Sequence, residues 1–373
     1  MKNTIFYGIS LVLTSFTTSA QVTLNADGPA GVDTYELITN ALAPGTANGA
    51  IEAPDAIHPS FGPHITEIFD TELNKFVFEF HSHVSNTPPD NEPVAGKTDR
   101  QRVEIKSYAP SPDNLKGIIG ETVQYKWRFK VPVGFKPTTS FTHIHQVKAV
   151  DGDDDDPLFT LTLRKLSNGS TKLELIYDKD AAAATIKYLN PNMSLFEGVW
   201  VEATETIKVG LQGTYAIIIK KVSDGTVLMD YSNPNIQTIR PAYTSSTGVV
   251  YAANSFIRPK WGIYRSLADI ANMRDEIIRF SDFSIDELTT LSTKDHSVEI
   301  NQFPNPVADK LQLSEAILNQ YTGIRIYDNI GKQVISNDTL SENINVSALK
   351  SGLYIIKFKK ENTLSKGIKM IKK

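Results

Sequence analysis

The sequence predicts an all-β protein, with a jelly-roll β-sandwich domain followed by a small C-terminal β-sandwich. Three observations carry this expectation. Short runs rich in Val, Ile, Thr, Tyr and Phe recur from residue 21 to about 288, separated by Gly, Pro, Asn and Asp clusters. Several of these runs alternate polar and apolar residues with the period of a strand. The composition then changes. Residues 301–373 hold 11 Lys plus Arg against 6 Asp plus Glu, whereas the whole chain has a net charge of -4.

The chain opens on Lys2 and an apolar run from Ile5 to Phe16, closed by Thr18, Ser19 and Ala20 before Gln21. That order matches a cleaved export signal over residues 1–20. The run falls short of the roughly 20 apolar residues that cross a bilayer. No later stretch is apolar enough, so an exported mature protein with no membrane span is expected. Within 121–131, Val123, Tyr125, Trp127, Phe129 and Val131 share one face, and Gln124, Lys126, Arg128 and Lys130 the other, as a half-buried strand requires. Residues 214–231 read as a hairpin that turns at Ser223, Asp224 and Gly225. Only Leu267–Arg274 looks helical. Many strands with few helices imply packed sheets. Residues 289–300 are polar and lack a strong period, so a linker is expected between domains at 21–288 and 301–373.

Composition removes several function classes. A chain that is 40% hydrophobic and 21% charged is an ordinary globular protein. Its pI of about 6.0 lacks the basic footprint of nucleic-acid binding. Cysteine is absent, which removes disulfides, thiolate catalysis and cysteine-held metals. A chain of this length can hold its fold by its core alone, and a monomer is expected. No G-x-S-x-G elbow, H-E-x-x-H pair or phosphate-cradling glycine loop occurs.

What remains is a set of polar residues inside strands, where burial is costly without a partner. Strict alternation over 141–150 puts His143, His145, Val147 and Ala149 on one face, and Thr142, Ile144, Gln146, Lys148 and Val150 on the other. Core or edge histidines and a solvent-facing Gln146 and Lys148 would suit the same pattern. Over 99–108, Arg100, Arg102, Glu104 and Lys106 share one face, with Val103 and Ile105 toward the core. This row reads as a solvated face or as the floor of a groove for a polyanion. Around Tyr264 stand Arg258, Lys260, Trp261 and Arg265, a mixture that can stack on sugar rings and fork carboxylate or sulfate. A tyrosine half-buried at a sheet edge is the plain alternative.

Together these segments resemble the jelly-roll polysaccharide lyases. The residues that carry the resemblance are TDRQRVEIKSY, FTHIHQVKAV with PLFTLTLRK after it, and KWGIYRS with MRDEIIRFSDFSI. They are most similar to the ulvan lyases of polysaccharide lyase family twenty-eight. Lyases of alginate and glucuronan carry comparable R-x-E, Q-x-K or Q-x-H, and Tyr motifs. The resemblance implies a concave sheet and endolytic β-elimination beside a uronic acid. Lys148 and Tyr264 would be the catalytic pair, with either as base. Arg102, Gln146, His145, Arg265, Arg100 and Arg258 would bind the acidic polysaccharide. Lys148 stands where the alginate lyase motif ends in histidine, which argues against simple alginate specificity; the expected substrate is ulvan, a sulfated rhamnose and uronic acid polymer. Glucuronan or alginate cleavage, or a non-catalytic binding module, are the alternatives.

Two further readings complete the expectation. Residues 301–373, with Asn305-Pro306, Asp309, Gly331-Lys332, Leu349 and Ser351-Gly352-Leu353-Tyr354, resemble the sorting domain of the type IX secretion system. That implies a secreted or cell-surface protein whose tail meets the secretion machinery. No cofactor is required by this chemistry. The acidic run Asp151 to Asp156 lacks calcium-loop spacing and reads as a solvated hairpin loop. Asp27 and Asp33 could instead join Asp282 in a structural calcium site.

Overall fold

A computed structural model describes residues 21–47, 49–84, 97–181, 183–245, 247–288, 303–328, 331–360, 363–365 and 368–373. The expected export signal and linker lie outside the described residues. The chain forms two compact units, divided at about residue 290.

The first unit begins with β1 (Val22–Leu24), β2 (Ile51–Glu52), β3 (Ile65–Asp70), β4 (Lys75–Ser82) and β5 (Arg100–Lys106). There follow β6 (Thr122–Lys130), β7 (Thr142–Val150), β8 (Phe159–Lys165), β9 (Thr171–Tyr177) and β10 (Ile186–Leu189). Next come β11 (Val201–Lys208), β12 (Gly213–Lys221) and β13 (Val227–Ile236). A short hairpin, β14 (Tyr243–Thr244) and β15 (Val250–Tyr251), precedes β16 (Phe256–Ser266) and β17 (Glu276–Glu287). One sheet runs β13-β12-β11-β6-β17-β4-β3, with β1 also on β17. The other runs β10-β9-β8-β7-β16-β5-β2. Both are antiparallel, and between them lies one continuous hydrophobic core. The unit is a jelly-roll sandwich.

Strand β6 shows why these residues pack so. Val123, Tyr125, Trp127 and Phe129 are all buried in the core, and the intervening polar residues stay partly exposed. Burying such side chains contributes roughly 1.5–3 kcal/mol each. The hairpin β12–β13 forms as the sequence suggests, with Tyr215 opposite Asn233 and Ile217 opposite Tyr231.

Helix content departs from expectation. Leu267–Arg274 holds only one 3-10 turn, Ile270–Asn272, whereas a true helix, α1 (Thr34–Leu42), lies between β1 and β2. Asp33 caps it by accepting from the backbone N–H groups of Tyr35 at 3.0 Å and Glu36 at 3.2 Å. Ile38 and Leu42, one turn apart, bury its inner face. Asp33 with Glu36 three residues later is a helix-start signal that β-rich surroundings concealed.

The second unit has its own core, including Leu311, Ile324, Ile326, Ile356, Phe358 and Met370. Its strands are β18 (Lys310–Gln312), β19 (Gly323–Tyr327), β20 (Gln333–Asn337), β21 (Asn343–Asn345), β22 (Gly352–Lys360), β23 (Thr363–Leu364) and β24 (Ile368–Lys372). The pair β18–β21 forms one small sheet, and the other five strands form the second around β22.

Candidate active site

Three neighbouring strands build the site. β16 runs between β5 and β7, with Tyr264 opposite Arg102 on one side and His143 on the other. Lys260 lies between Lys106 and Gln146, and Arg258 is opposite Lys148. The outward residues of β5 and β16 follow the strand period, which brings Arg100, Arg102, Glu104 and Lys106 beside Arg258, Lys260 and Tyr264. Gly262, between Lys260 and Tyr264, has φ +144°, and a Cβ there would meet the Val103 carbonyl at 2.1 Å. Only glycine suits that position.

β7 does not obey the alternation expected of it. Its pairing with β8 shifts between His143 and His145, and both Ile144 and His145 are buried toward the core. The bulge turns two successive residues inward, so His143 joins Gln146 and Lys148 on the outer face. His145 therefore is not a cleft residue. Its Nε2 meets Glu205 Oε2 at 2.8 Å, its Nδ1 meets the Lys260 carbonyl at 3.0 Å, and its ring lies 4.2 Å from that of Trp127. Arg265 is misplaced in the sequence reading for a simpler reason, because it follows Tyr264 and points the opposite way. It is fully buried and donates to Gln101 Oε1 and to the carbonyls of Ser82 and Arg274.

The outer face forms a cleft of about 130 Å³. Arg100, Arg102, Gln146, Lys148 and Tyr264 line it, and so do Phe141, His143 and Lys260, with Asp155–Pro157 at one rim. Arg258 shares the face but donates to the Ser107 carbonyl at 3.0 Å, outside that lining. Arg100 Nη1 donates to the Tyr264 hydroxyl at 3.0 Å, and the Arg102 guanidinium lies 4.4 Å from the Tyr264 ring centre. Such a contact is worth roughly 0.5–2 kcal/mol and fixes the ring.

Beneath the cationic row lie two carboxylates. Glu104 is wholly buried, accepts from Gln146 Nε2, and pairs with Arg102 at 3.4 Å and Lys260 at 3.5 Å. Glu52 pairs with Arg102 at 3.0 Å, with Lys106 at 2.5 Å, and with Lys260. Burial would raise the Glu52 carboxyl, but Lys260, Arg102 and Lys106 outweigh it and hold it well below the usual carboxylate range.

Lys148 and His143 are both pushed toward neutrality. Burial, helped by Lys260, lowers the Lys148 ammonium to about 8, and its Nζ donates to the carbonyls of Asp154 and Asp155. Burial, helped by Arg164, Lys148 and Arg100, lowers His143 to about 3. Its Nδ1 has no hydrogen-bond partner among the described residues. The cleft thus places a neutral imidazole, an amine near neutrality and a phenol beside several cations. That set can move protons at a carbon next to an anionic group.

The sequence reading named His143 and Lys260 without assigning them to the site, and it missed Phe141 and Glu52. Lys260 was legible, being two residues from Arg258 and four from Tyr264 on one face. Phe141 was also legible, standing two residues before His143 and stacked on it, whereas Glu52 arrives through sheet order, which no local pattern encodes. The acidic run is also more than a solvated loop, since Asp153 is buried and accepts from Tyr243 Oη at 2.7 Å.

The expected calcium residues do not gather. Asp33 caps α1, Asp27 accepts from the Val32 N–H at 3.0 Å, and Asp282 pairs with Lys75 and Arg128. No group of three or more His, Asp or Glu is disposed to hold a metal ion among the described residues.

Comparison with known proteins identifies the tail. The model of the secretion system C-terminal sorting domain matches residues 301–373. This segment is a sorting domain. The protein is therefore secreted or held at the cell surface, by the type IX route that such domains serve. No helix among the described residues is long and apolar enough to cross a membrane.

For the first unit, no curated protein matches the sequence. Among solved structures, it is similar to an endo-β-1,4-glucuronan lyase from the fungus Trichoderma reesei, at 13% identity and a TM-score of 0.40 over 60% of this chain and 87% of that one. An alginate lyase of polysaccharide lyase family 7 matches at 13% identity and 0.39 over 64% and 93%. An alginate lyase from Klebsiella pneumoniae matches at 9% identity and 0.39 over 60% and 84%.

Proposed function

We propose that the first unit is an endolytic polysaccharide lyase that cleaves ulvan by β-elimination beside a uronic acid. The observation that carries this reading is the shared cleft of Lys148 and Tyr264, with the amine lowered to about 8 and Arg100, Arg102 and Lys260 in the same lining.

The reaction needs the carboxylate charge offset, a base for the C5 proton and an acid for the leaving oxygen, and the cleft offers a group for each. The uronate carboxylate opposes loss of the C5 proton until its charge is offset. Arg102 and Lys260 supply that positive charge. Neutral Lys148 takes the C5 proton, and the electron pair left behind forms the C4–C5 double bond as the C4–O bond breaks. Tyr264 gives its proton to the departing oxygen. Arg100 donates to the Tyr264 oxygen, which leaves the phenolic hydrogen free for transfer and stabilises the phenolate that follows.

Ulvan suits the charge of this face. Arg100, Arg102, Lys106, Arg258 and Lys260 exceed what one carboxylate needs, and sulfate groups would use the surplus. The test is a panel of ulvan, glucuronan and alginate, read by the ultraviolet absorbance of the unsaturated uronate product. Product from ulvan above the other two is expected. Binding without product on all three would make the unit a carbohydrate-binding module instead.

A further inference from the structure

We propose that Arg240 is a positioning residue for Lys148, acting through the acidic turn between β7 and β8. Arg240 lies after β13, outside the cleft, and is 1% exposed. Its Nη1 donates to the carbonyls of Asp153 at 2.8 Å and Asp156 at 2.9 Å. Its Nε and Nη2 donate to the carbonyls of Lys179 and Asp178, each at 2.9 Å. One guanidinium thus ties four carbonyls from two loops into one rigid, planar frame.

The two tied carbonyls of the turn flank the two that matter. Asp154 and Asp155, between them in sequence, offer the carbonyls that accept from Lys148 Nζ. A neutral amine has two N–H bonds and one lone pair. When both N–H bonds are taken by the turn, the lone pair is left for the cleft that Lys148 lines. Lysine brings four rotatable bonds, so without this frame the amine samples many directions.

Other ties converge on the same turn. The Arg240 N–H donates to Asn254 Oδ1 at 2.8 Å, and Asn254 Nδ2 donates to the carbonyls of Asp151 at 2.5 Å and Asp153 at 3.2 Å. Asp153 Oδ2 accepts from Tyr243 Oη at 2.7 Å and from the Ala181 N–H at 3.0 Å. The charged groups around Lys148 are Lys260 and Arg258 on β16, Asp154 and Asp156 on the turn, and Arg240 itself.

This inference rests on the lyase reading for its kinetics alone. The test uses the full chain with Arg240→Lys, which keeps the charge but loses the frame, and Tyr243→Phe, which loses one outer tie. In folded Arg240→Lys, kcat should fall about tenfold with KM nearly unchanged, since misplacing a reacting group costs rate more than binding. The acid limb of kcat should move upward as water reaches the amine. Wild-type kcat and an unmoved limb would overturn the proposal. If Arg240→Lys does not fold, Tyr243→Phe decides, with an expected loss of roughly threefold in kcat at constant KM; no loss would overturn it. A wild-type chain that yields no product from any polymer sinks the lyase reading but not this one. In that case the pH midpoint of Lys148 acylation, followed by peptide mass spectrometry, should rise in Arg240→Lys, and an unchanged midpoint would overturn the clamp.

Discussion

The Nε2 of His145 lies 2.8 Å from Oε2 of Glu205, and this buried pair joins β7 of one sheet to β11 of the other. The remaining ring nitrogen faces the Lys260 carbonyl, which can only accept, so Nδ1 carries a proton. Nε2 faces a carboxylate oxygen, and Glu205 Oε1 accepts from Tyr215 Oη at 2.7 Å. Glu205→Leu should destabilise the fold by about 3–5 kcal/mol, because it strands buried polar partners. Glu205→Gln can accept from Tyr215 and donate to His145, and should cost about 1 kcal/mol. Denaturant melts compare the two, and a Leu variant as stable as wild type would contradict this account. Turnover per folded molecule should be unaltered in both.

Tyr264→Phe deletes one oxygen and keeps the ring that Arg102 covers. Turnover should fall about a hundredfold or more, the usual scale for a general acid. Melting should barely change, and polymer binding should persist. Initial rates beside thermal melts make the comparison. A near-normal rate in the folded variant would remove Tyr264 from the reaction and pass its role to His143.

Lys148 gives a prediction in pH. Its ammonium is lowered from 10.5 to about 8 in the fold, so the charged form is disfavoured there. Below about pH 8 the fold carries the whole penalty, and between about 8 and 10.5 rising pH relieves it. Lys148→Met lacks the penalty, so its stability advantage over wild type should be largest below pH 8 and shrink toward pH 10.5. The rate should move likewise, because the neutral amine is the base. Wild-type kcat should rise through about pH 8, and the Met variant should lose that limb and about a hundredfold in rate. Equal stability differences across the range would show that Lys148 keeps its ordinary proton affinity.

Glu52 is one of two carboxylates already present among the groove cations, the other being the wholly buried Glu104. Removing its charge leaves Arg102, Lys106 and Lys260 with less internal neutralisation and more attraction for a polyanion. Glu52→Gln should therefore lower KM roughly threefold to tenfold at low ionic strength, with a steeper dependence on salt. Rates measured across a salt series test this. A raised KM with an intact fold would mean instead that Glu52 orients the cations for substrate.

Much of the fold was legible because it follows period-two alternation. The buried row of β6, the β12–β13 hairpin and the charged face of β5 could each be read from one segment. The site was legible only where its strands stay regular. Arg100, Arg102, Gln146, Lys148 and Tyr264 reach the cleft by plain alternation on their own strands. His143 and His145 exchanged roles because the bulge at Ile144 has no sequence mark beyond a buried pair of neighbours. Arg265 was grouped with Tyr264 by proximity in sequence, which in a strand means opposite faces. Glu52 meets Lys260 across 208 residues of sequence, and Arg240 reaches the turn beside Lys148 across 84 to 87 residues, separations that no local pattern spans. Helix α1 was missed although Asp33 and Glu36 mark its start.

The bulge also sets how this strand can change length over evolution. Removing a residue from most of β7 would invert every side chain beyond it, sending Gln146 and Lys148 inward or His143 with them. Ile144 is different. Its loss would leave His143 outward, His145 inward and Gln146 outward, because the doubled inward step is the surplus itself. Homologous chains one residue shorter in β7 can thus keep the cleft intact if the gap falls at Ile144, at the expense of one core side chain. Loss of His145 would keep the same facing but break its pair with Glu205, whereas a shortening between Gln146 and Lys148 would dismantle the cleft.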